Sequence, residues 1–285
     1  VSSTTDVPSL VDRLRYPLEG AGRDDLVRRA RASLHHDGAV ELPGFVTEPA
    51  VALLAEEARD LAARRTWRSE GVGTAYLAPP DPMVPSDHPT RHLGRFATGV
   101  VPYDLFGVDS LIRQFYEWEP LRQLVEDIVD RGPLHPYGDP FGALNLAVME
   151  NGDELQWHFD QTDFVVSLAI ASATSGGRFE AAPRVRTVDD ERFSEVQSVI
   201  EGRSDQVYVH PMVAGTLLIF EGRHSLHRVS PVEGHQARLV ALLAYDTLEG
   251  RCGSALLHQT RYGRTTPFPE PPDDTTYRQW LEGTG

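Results

Sequence analysis

The sequence predicts a mainly β fold, a double-sheet jelly roll with helices packed against it. Three observations carry this. From Phe141 onward the chain breaks into short β-like runs punctuated by Gly, Asp or Pro, the pattern of an antiparallel sandwich or barrel. Helical periodicity is concentrated in the first third. The 285 residues, 40% hydrophobic and 24% charged, supply a core of ordinary size. With no internal repeat or low-complexity linker, 1–285 reads as a single domain. It divides into a helical part about 20–131, a jelly-roll core about 141–246 and a C-terminal loop region 247–285.

The opening VSSTTDVPSL lacks the charged and apolar regions of a signal peptide and reads as a frayed tail. Residues 23–36 place Leu26, Ala30 and Leu34 on one helical face. Asp37-Gly38 signals a turn, and AVELPGFV reads as a short strand. A second helix is predicted from Glu48 to Arg65, with Val51, Leu54 and Ala58 on one face. Five prolines in 78–90 predict an irregular loop. A third amphipathic stretch spans 109–131, kinked or restarted at Pro120. The β-like runs are ALNLAVME, FVVSLAIA, GRFEAAP, QVYVHP, GTLLIFEG, HRVSPV and RLVALLAY, with a helix at 189–202 between them.

Composition excludes several classes of function. The net charge is −15, which disfavours phosphate backbones and anionic lipid surfaces, so neither nucleic acid nor a membrane is an expected partner. All 27 basic residues are arginine, so Schiff-base and P-loop lysine chemistry is absent. The single Cys252 rules out an intrachain disulfide framework and Cys-based zinc clusters, and a reducing cytoplasm is the expected setting. No run of about 18 apolar residues predicts a membrane-spanning helix.

The chemistry concentrates in Glu154-Leu-Gln-Trp-His158-Phe-Asp160. On an extended segment, residues two apart point the same way, so His158 and Asp160 face one point. A later histidine, His224 or His227 in EGRHSLHRVSP, can supply a third ligand. Two histidines and a carboxylate on one face of an octahedral metal form the facial triad of non-haem Fe(II) oxygenases, which leaves positions open for a cosubstrate and O2. Arg238 opens the apolar run RLVALLAY. Pointing inward, it needs an anion, because a buried unpaired charge is very costly; pointing outward, it is a strand-end surface charge.

Segments 142–180 and 206–245 resemble the Fe(II)/2-oxoglutarate-dependent dioxygenase superfamily. The resemblance rests on His158-x-Asp160, GGRFE, HRVSPV around His227, and Arg238, in family order; DGAVELPGFV resembles the family's entry strand. HFDQTDFVVSLAI followed by SGGRFE is similar to a bacterial group that hydroxylates or chlorinates small soluble substrates, mostly free amino acids.

The resemblance implies a double-stranded β-helix (cupin-type jelly roll) holding Fe(II) on His158, Asp160 and His227, with Arg238 on the distal carboxylate of 2-oxoglutarate. HRVSPV favours His227 over His224. Asn145 is expected either to hydrogen-bond the cosubstrate or to be a polar strand-edge residue. Relatives that act on amino acids clamp the substrate carboxylate with an arginine from the segment before the barrel, a place Arg95 occupies here. Gln161, just after the metal carboxylate, corresponds to a position that touches the substrate side chain; it is neutral where lysine-acting members carry an acid. Trp157 and, in the C-terminal loop, Tyr262 are candidate aromatic lining, with a place in the core as the alternative for each.

In chlorinating members a small residue replaces the metal carboxylate, so Asp160 implies hydroxylation. The expected activity is an Fe(II)- and 2-oxoglutarate-dependent hydroxylase, assayed with ascorbate as reductant and using O2 and a small molecule such as a free amino acid or derivative. The alternatives are a non-catalytic cupin-like binding module, or a dioxygenase of the same family acting on a nucleoside or carrier-bound substrate.

Overall fold

The computed structural model describes residues 6–283. Its eleven-stranded antiparallel sheet contains β1 (Ala39–Leu42), β2 (Trp67–Thr74), β3 (Leu93–Pro102), β4 (Leu144–Met149), β5 (Glu154–His158) and β6 (Val165–Ala171). It continues with β7 (Phe179–Ala182), β8 (Tyr208–His210), β9 (Leu217–Phe220), β10 (Leu226–Val229) and β11 (Arg238–Leu243). The order is β1-β9-β6-β11-β4-β3-β5-β10-β7-β8, with β2 on the other edge of β3.

β3 joins the two halves of the nearly closed jelly roll. Gly99–Pro102 pair with β4, whereas Phe96 and Ala97 pair with β5. One continuous strand thus ties the sheet that carries Arg238 to the sheet that carries His158 and His227.

Directly paired residues share a face, and the face alternates along each strand. One face of β1, β9, β6, β11 and β4 carries Val40, Ile219, Leu168, Ala241 and Leu146, all buried in the main core. Helices α1 (Gly20–Asp37), α2 (Glu48–Arg65), α3 (Leu111–Glu117) and α4 (Glu119–Val129) pack against it and contribute to that core. The opposite face, inside the roll, carries Phe220, Ser167, Ala169, Arg238 and Asn145. Beside the polar Ser167, Arg238 and Asn145, this face carries a second apolar cluster that includes Met149, Phe179, Leu218 and Phe220.

Local sequence explains the helix boundaries. α1 buries Leu26, Ala30 and Leu34 and stops at Gly38, whose φ of 70° lets its N–H reach the Leu34 carbonyl at 3.0 Å. Pro120 starts a fresh helix: α3 ends at Glu117, and α4 begins at Glu119 with proline in its first turn.

Three expectations need correction. The part taken as helical, 20–131, also contains β2 and β3. Their glycines (71, 73, 94 and 99) dilute the strand signal in the sequence. The C-terminal region is not loop throughout, for it forms two helices, α6 (Ala255–Tyr262) and α7 (Asp274–Gly283). Ser254 caps the N-terminus of α6 through the Leu257 N–H, and Gly263 closes it with φ 68°. Buried Arg264 pairs with Asp104, and Arg65 of α2 pairs with Asp274, so this region is fastened to the rest of the fold. Finally, the supposed frayed tail is partly ordered: Val7–Leu10 form a 3-10 turn with Leu10 buried, whereas residues 1–5 lie outside the described region.

Candidate metal centre and active site

β5 and β10 bring His158 directly opposite His227. Their rings lie 4.3 Å apart, and His227 Nε2 lies 3.2 Å from Asp160 Oδ2. One ligand atom from each of these three residues lies within 4.8 Å of the others. Two ligand atoms bonded at about 2.1 Å to one octahedral ion stand about 3.0 Å apart, close to the His227–Asp160 spacing. His224 is not in this group; it lies in the bend before β10.

Backbone carbonyls orient both imidazoles. His158 Nδ1 lies 2.6 Å from the Gln156 carbonyl, and His227 Nδ1 lies 2.9 Å from the Ser225 carbonyl. A carbonyl only accepts, so each Nδ1 carries a proton and each Nε2 is the ring nitrogen turned toward the centre. Phe96 packs edge-on to His158, and Phe220 does the same for His227. The carboxylate and histidines then tune one another. Burial alone would raise Asp160, but the charge and hydrogen bond of His227 outweigh it and bring its pKa down to about 2. Burial, helped by the His227 charge, lowers His158 to about 4. His227 moves the other way, because Asp160 overcomes the effect of burial.

Arg238 faces the same interior. It is 7% exposed and has no carboxylate partner among the described residues; its Nη1 finds only Met149 Sδ at 3.9 Å. Burial pushes its pKa down to about 10. A guanidinium held this way lacks an anion.

The structure does not gather the other candidates around the centre. Trp157 leaves β5 on the opposite face from His158 and packs with Ala182, Val196, Val199 and Leu226 beneath α5 (Phe193–Ile200), so it is a core residue. Arg95 leaves β3 on the opposite face from Phe96. Its guanidinium is taken by Glu70 at 2.9 Å, by Glu154 at 3.6 Å and by the Gly152 carbonyl at 2.6 Å. Asn145 is inward but engaged: its amide nitrogen donates to the carbonyls of Phe141 and Leu144, and its oxygen accepts from Tyr262. Tyr262 is buried and stacks on Phe141, 5.2 Å between centroids, so it supports Asn145. Gln161 is exposed in the bend after Asp160.

Phe96 was missed by sequence reading. Alternation along 93–102 is the signal that would have placed it opposite Arg95. Arg261 was missed as well; its positive charge lowers both His158 and Asp160.

A second cluster, Asp139, Cys252 and His258, holds α6 in place. His258 Nε2 lies 2.6 Å from Asp139 Oδ2, a hydrogen-bond length and shorter than two ligands of one metal prefer. Asp139 also accepts the N–H groups of Phe141, Gly142 and Gly253. Burial would raise its pKa, but these bonds, that from His258 foremost, keep it lowered.

Comparison with known proteins agrees with this geometry. Residues 22–262 match the family model for Halogenase D. No match is found among curated proteins. Among solved structures, the chain is similar to the non-haem α-ketoglutarate-dependent epimerase SnoN from nogalamycin biosynthesis, at 16% identity and a TM-score of 0.58, covering 87% of this chain and 92% of that one. It is also similar to AviO1 from Streptomyces viridochromogenes, at 19% identity and a TM-score of 0.54, covering 76% and 93%. A 2OG-Fe(II) oxygenase family oxidoreductase from Burkholderia pseudomallei is 16% identical with a TM-score of 0.50, covering 79% and 92%. At these identities the likeness is one of fold. A family match across most of the length, over a jelly roll of this type, identifies an oxidoreductase: the chain belongs to the Halogenase D family, within the Fe(II)/2-oxoglutarate-dependent oxygenases.

Proposed function

We propose that this enzyme hydroxylates a small molecule, a free amino acid or a derivative of one, on an Fe(II) centre held by His158, Asp160 and His227. The observation that carries hydroxylation over halogenation is the intact carboxylate of Asp160, 3.2 Å from His227 Nε2. A halide would need the coordination position that this carboxylate is set to fill.

The donor set fits the metal. Two neutral imidazoles with their Nε2 lone pairs directed inward and one ionised carboxylate make a hard, mixed N/O facial set. Arg238 fits the cosubstrate, being a buried fork of donors that lacks an anion on the same interior face. When bound, Fe(II) with 2-oxoglutarate and O2 would supply the oxidant for a substrate C–H bond, with succinate and CO2 as co-products.

The chain's own residues do the placing. Asp160 contributes one negative charge against the dication. The Gln156 and Ser225 carbonyls hold the two imidazoles in the coordinating tautomer. Arg238, buried and without a carboxylate partner among the described residues, would hold the distal carboxylate of the cosubstrate. Phe96, Phe179 and Phe220 pack around the histidines and keep bulk water from them.

The test is a screen of free amino acids with Fe(II), 2-oxoglutarate and ascorbate. Succinate should accumulate with a product heavier by one oxygen. Succinate without any oxygenated product from the panel would remove the amino-acid reading while keeping the cofactor assignment.

A further inference from the structure

We infer that Arg223, Asp163 and Arg131 are positioning residues for the metal: together they hold the bend after β5 in the shape that presents the Asp160 carboxylate to His227. This rests on the metal ligands of the hydroxylase reading above and deepens it, since it names what sets one of those ligands in place.

β5 ends at His158 and β6 begins at Val165, so Asp160 lies off the ladder. Residues 161–163, which follow it, are exposed. A ligand on such a segment needs an anchor, because an exposed bend without partners keeps its conformational freedom. The anchor is the turn between β9 and β10. The Gly222 carbonyl accepts the Asp160 N–H at 3.1 Å. Arg223 then spans the residues beyond: its Nη2 donates to the Gln161 carbonyl and its Nε to the Asp163 carboxylate. Two consecutive residues of the turn thus grip the bend at 160, 161 and 163. The second Asp163 oxygen takes Arg131, just past the end of α4, at 2.8 Å.

The turn is itself fixed. The Glu221 N–H donates to the Gly38 carbonyl at 2.8 Å, and its carboxylate pairs with Arg184 at 2.7 Å. The Arg223 carbonyl accepts from Arg186 Nε at 2.8 Å. Gly222 also seats the Asp160 side chain. A Cβ there would stand 2.3 Å from Asp160 Oδ2, the same oxygen that lies 3.2 Å from His227 Nε2. That oxygen is held between the turn and the histidine, so a shift of the bend is a shift of the ligand.

Charge alone would act with the opposite sign. A guanidinium repels a dication, so if the two arginines acted only through their field, removing either would tighten metal binding. If they act by position, removing either loosens it. Loss of Asp163 loosens binding on both accounts, which makes the arginines the informative residues.

The experiment is Mn(II) binding to the full chain, read from the paramagnetic resonance of the free ion, with the melting temperature of the metal-free protein measured alongside. Half-exposed ion pairs are individually weak, whereas groups that orient metal ligands count for more. Arg223→Gln should therefore weaken Mn(II) binding about three- to tenfold and Arg131→Gln about two- to threefold, with metal-free melting temperatures within about 4 °C of the wild type. The assignment is overturned if Arg223→Gln, melting within that range, binds Mn(II) as tightly as the wild type or more tightly. A larger fall in its melting temperature makes Arg131→Gln the deciding variant, judged by the same sign. A wild type that binds no Mn(II), or a His227→Ala variant that binds it normally, would instead sink the metal-ligand reading and this inference with it.

Discussion

Trp157 and His158 are consecutive in β5 and serve opposite layers. His158 faces His227, while Trp157 is packed under α5. Trp157→Ala should therefore cost about 3–5 kcal/mol of stability, as large aromatic truncations in cores do. The variant that remains folded should bind Mn(II) with wild-type affinity. Chemical denaturation and a metal titration on the same sample separate the two effects.

His227→Ala should abolish metal binding and turnover, whereas His224→Ala should retain both. Calorimetric titration with Mn(II) under anaerobic conditions checks the first. Loss of binding in His224→Ala with retention in His227→Ala would invert the ligand assignment.

Arg238→Ala should raise the KM for 2-oxoglutarate by two to three orders of magnitude, because breaking a buried charge pair costs roughly 3–5 kcal/mol. An unchanged KM would remove the cosubstrate assignment. Metal affinity measured without 2-oxoglutarate should not fall.

Metal affinity should decline as pH falls, and His227 should govern the decline. A protonated Nε2 cannot coordinate, and Asp160 holds the His227 pKa above its ordinary value of 6.5. Below that raised value, affinity should drop about tenfold per pH unit, one proton being displaced per ion. His158, lowered to about 4, should add a second proton only in far more acidic buffer. In the metal-free protein the two histidines have opposite signs. His227 stabilises the fold at low pH and loses that contribution as pH rises through its folded value. His158 costs stability as pH falls from about 6.5 toward 4. Mn(II) titrations across pH 5–8 check the prediction, and a flat profile would contradict it.

The wild type should give hydroxylated and never chlorinated product at any chloride concentration. Asp160→Gly should lose hydroxylation and open a position for halide. The isotope pattern of the product in mass spectrometry decides this. Chlorinated product from the unmodified enzyme would mean that Asp160 does not ligate.

The residues placed at the centre were legible because their chemistry is written in short spacings. His158 and Asp160 lie two apart, and His227 and Arg238 eleven apart, each on or beside an apolar strand. Which neighbours share their face was less legible. β5 has a register shift against β10 between its pairings to Val229 and His227, so counting by two from His158 does not sort the whole strand. The face that Arg95 occupies was not legible, because β3 had not been recognised as a strand whose alternation turns Arg95 away from Phe96 and His158. Arg261 was hidden in an eight-residue helix flanked by glycine, with too little periodicity to stand out.

Asp160 lies just past the end of β5, in a bend where its N–H donates to the Gly222 carbonyl and a Cβ at 222 would collide with its carboxylate. No ladder partner depends on its side chain. A substitution at 160 should therefore leave the ladder between β5 and β10 undisturbed, so this position can change its chemistry at little cost to the fold.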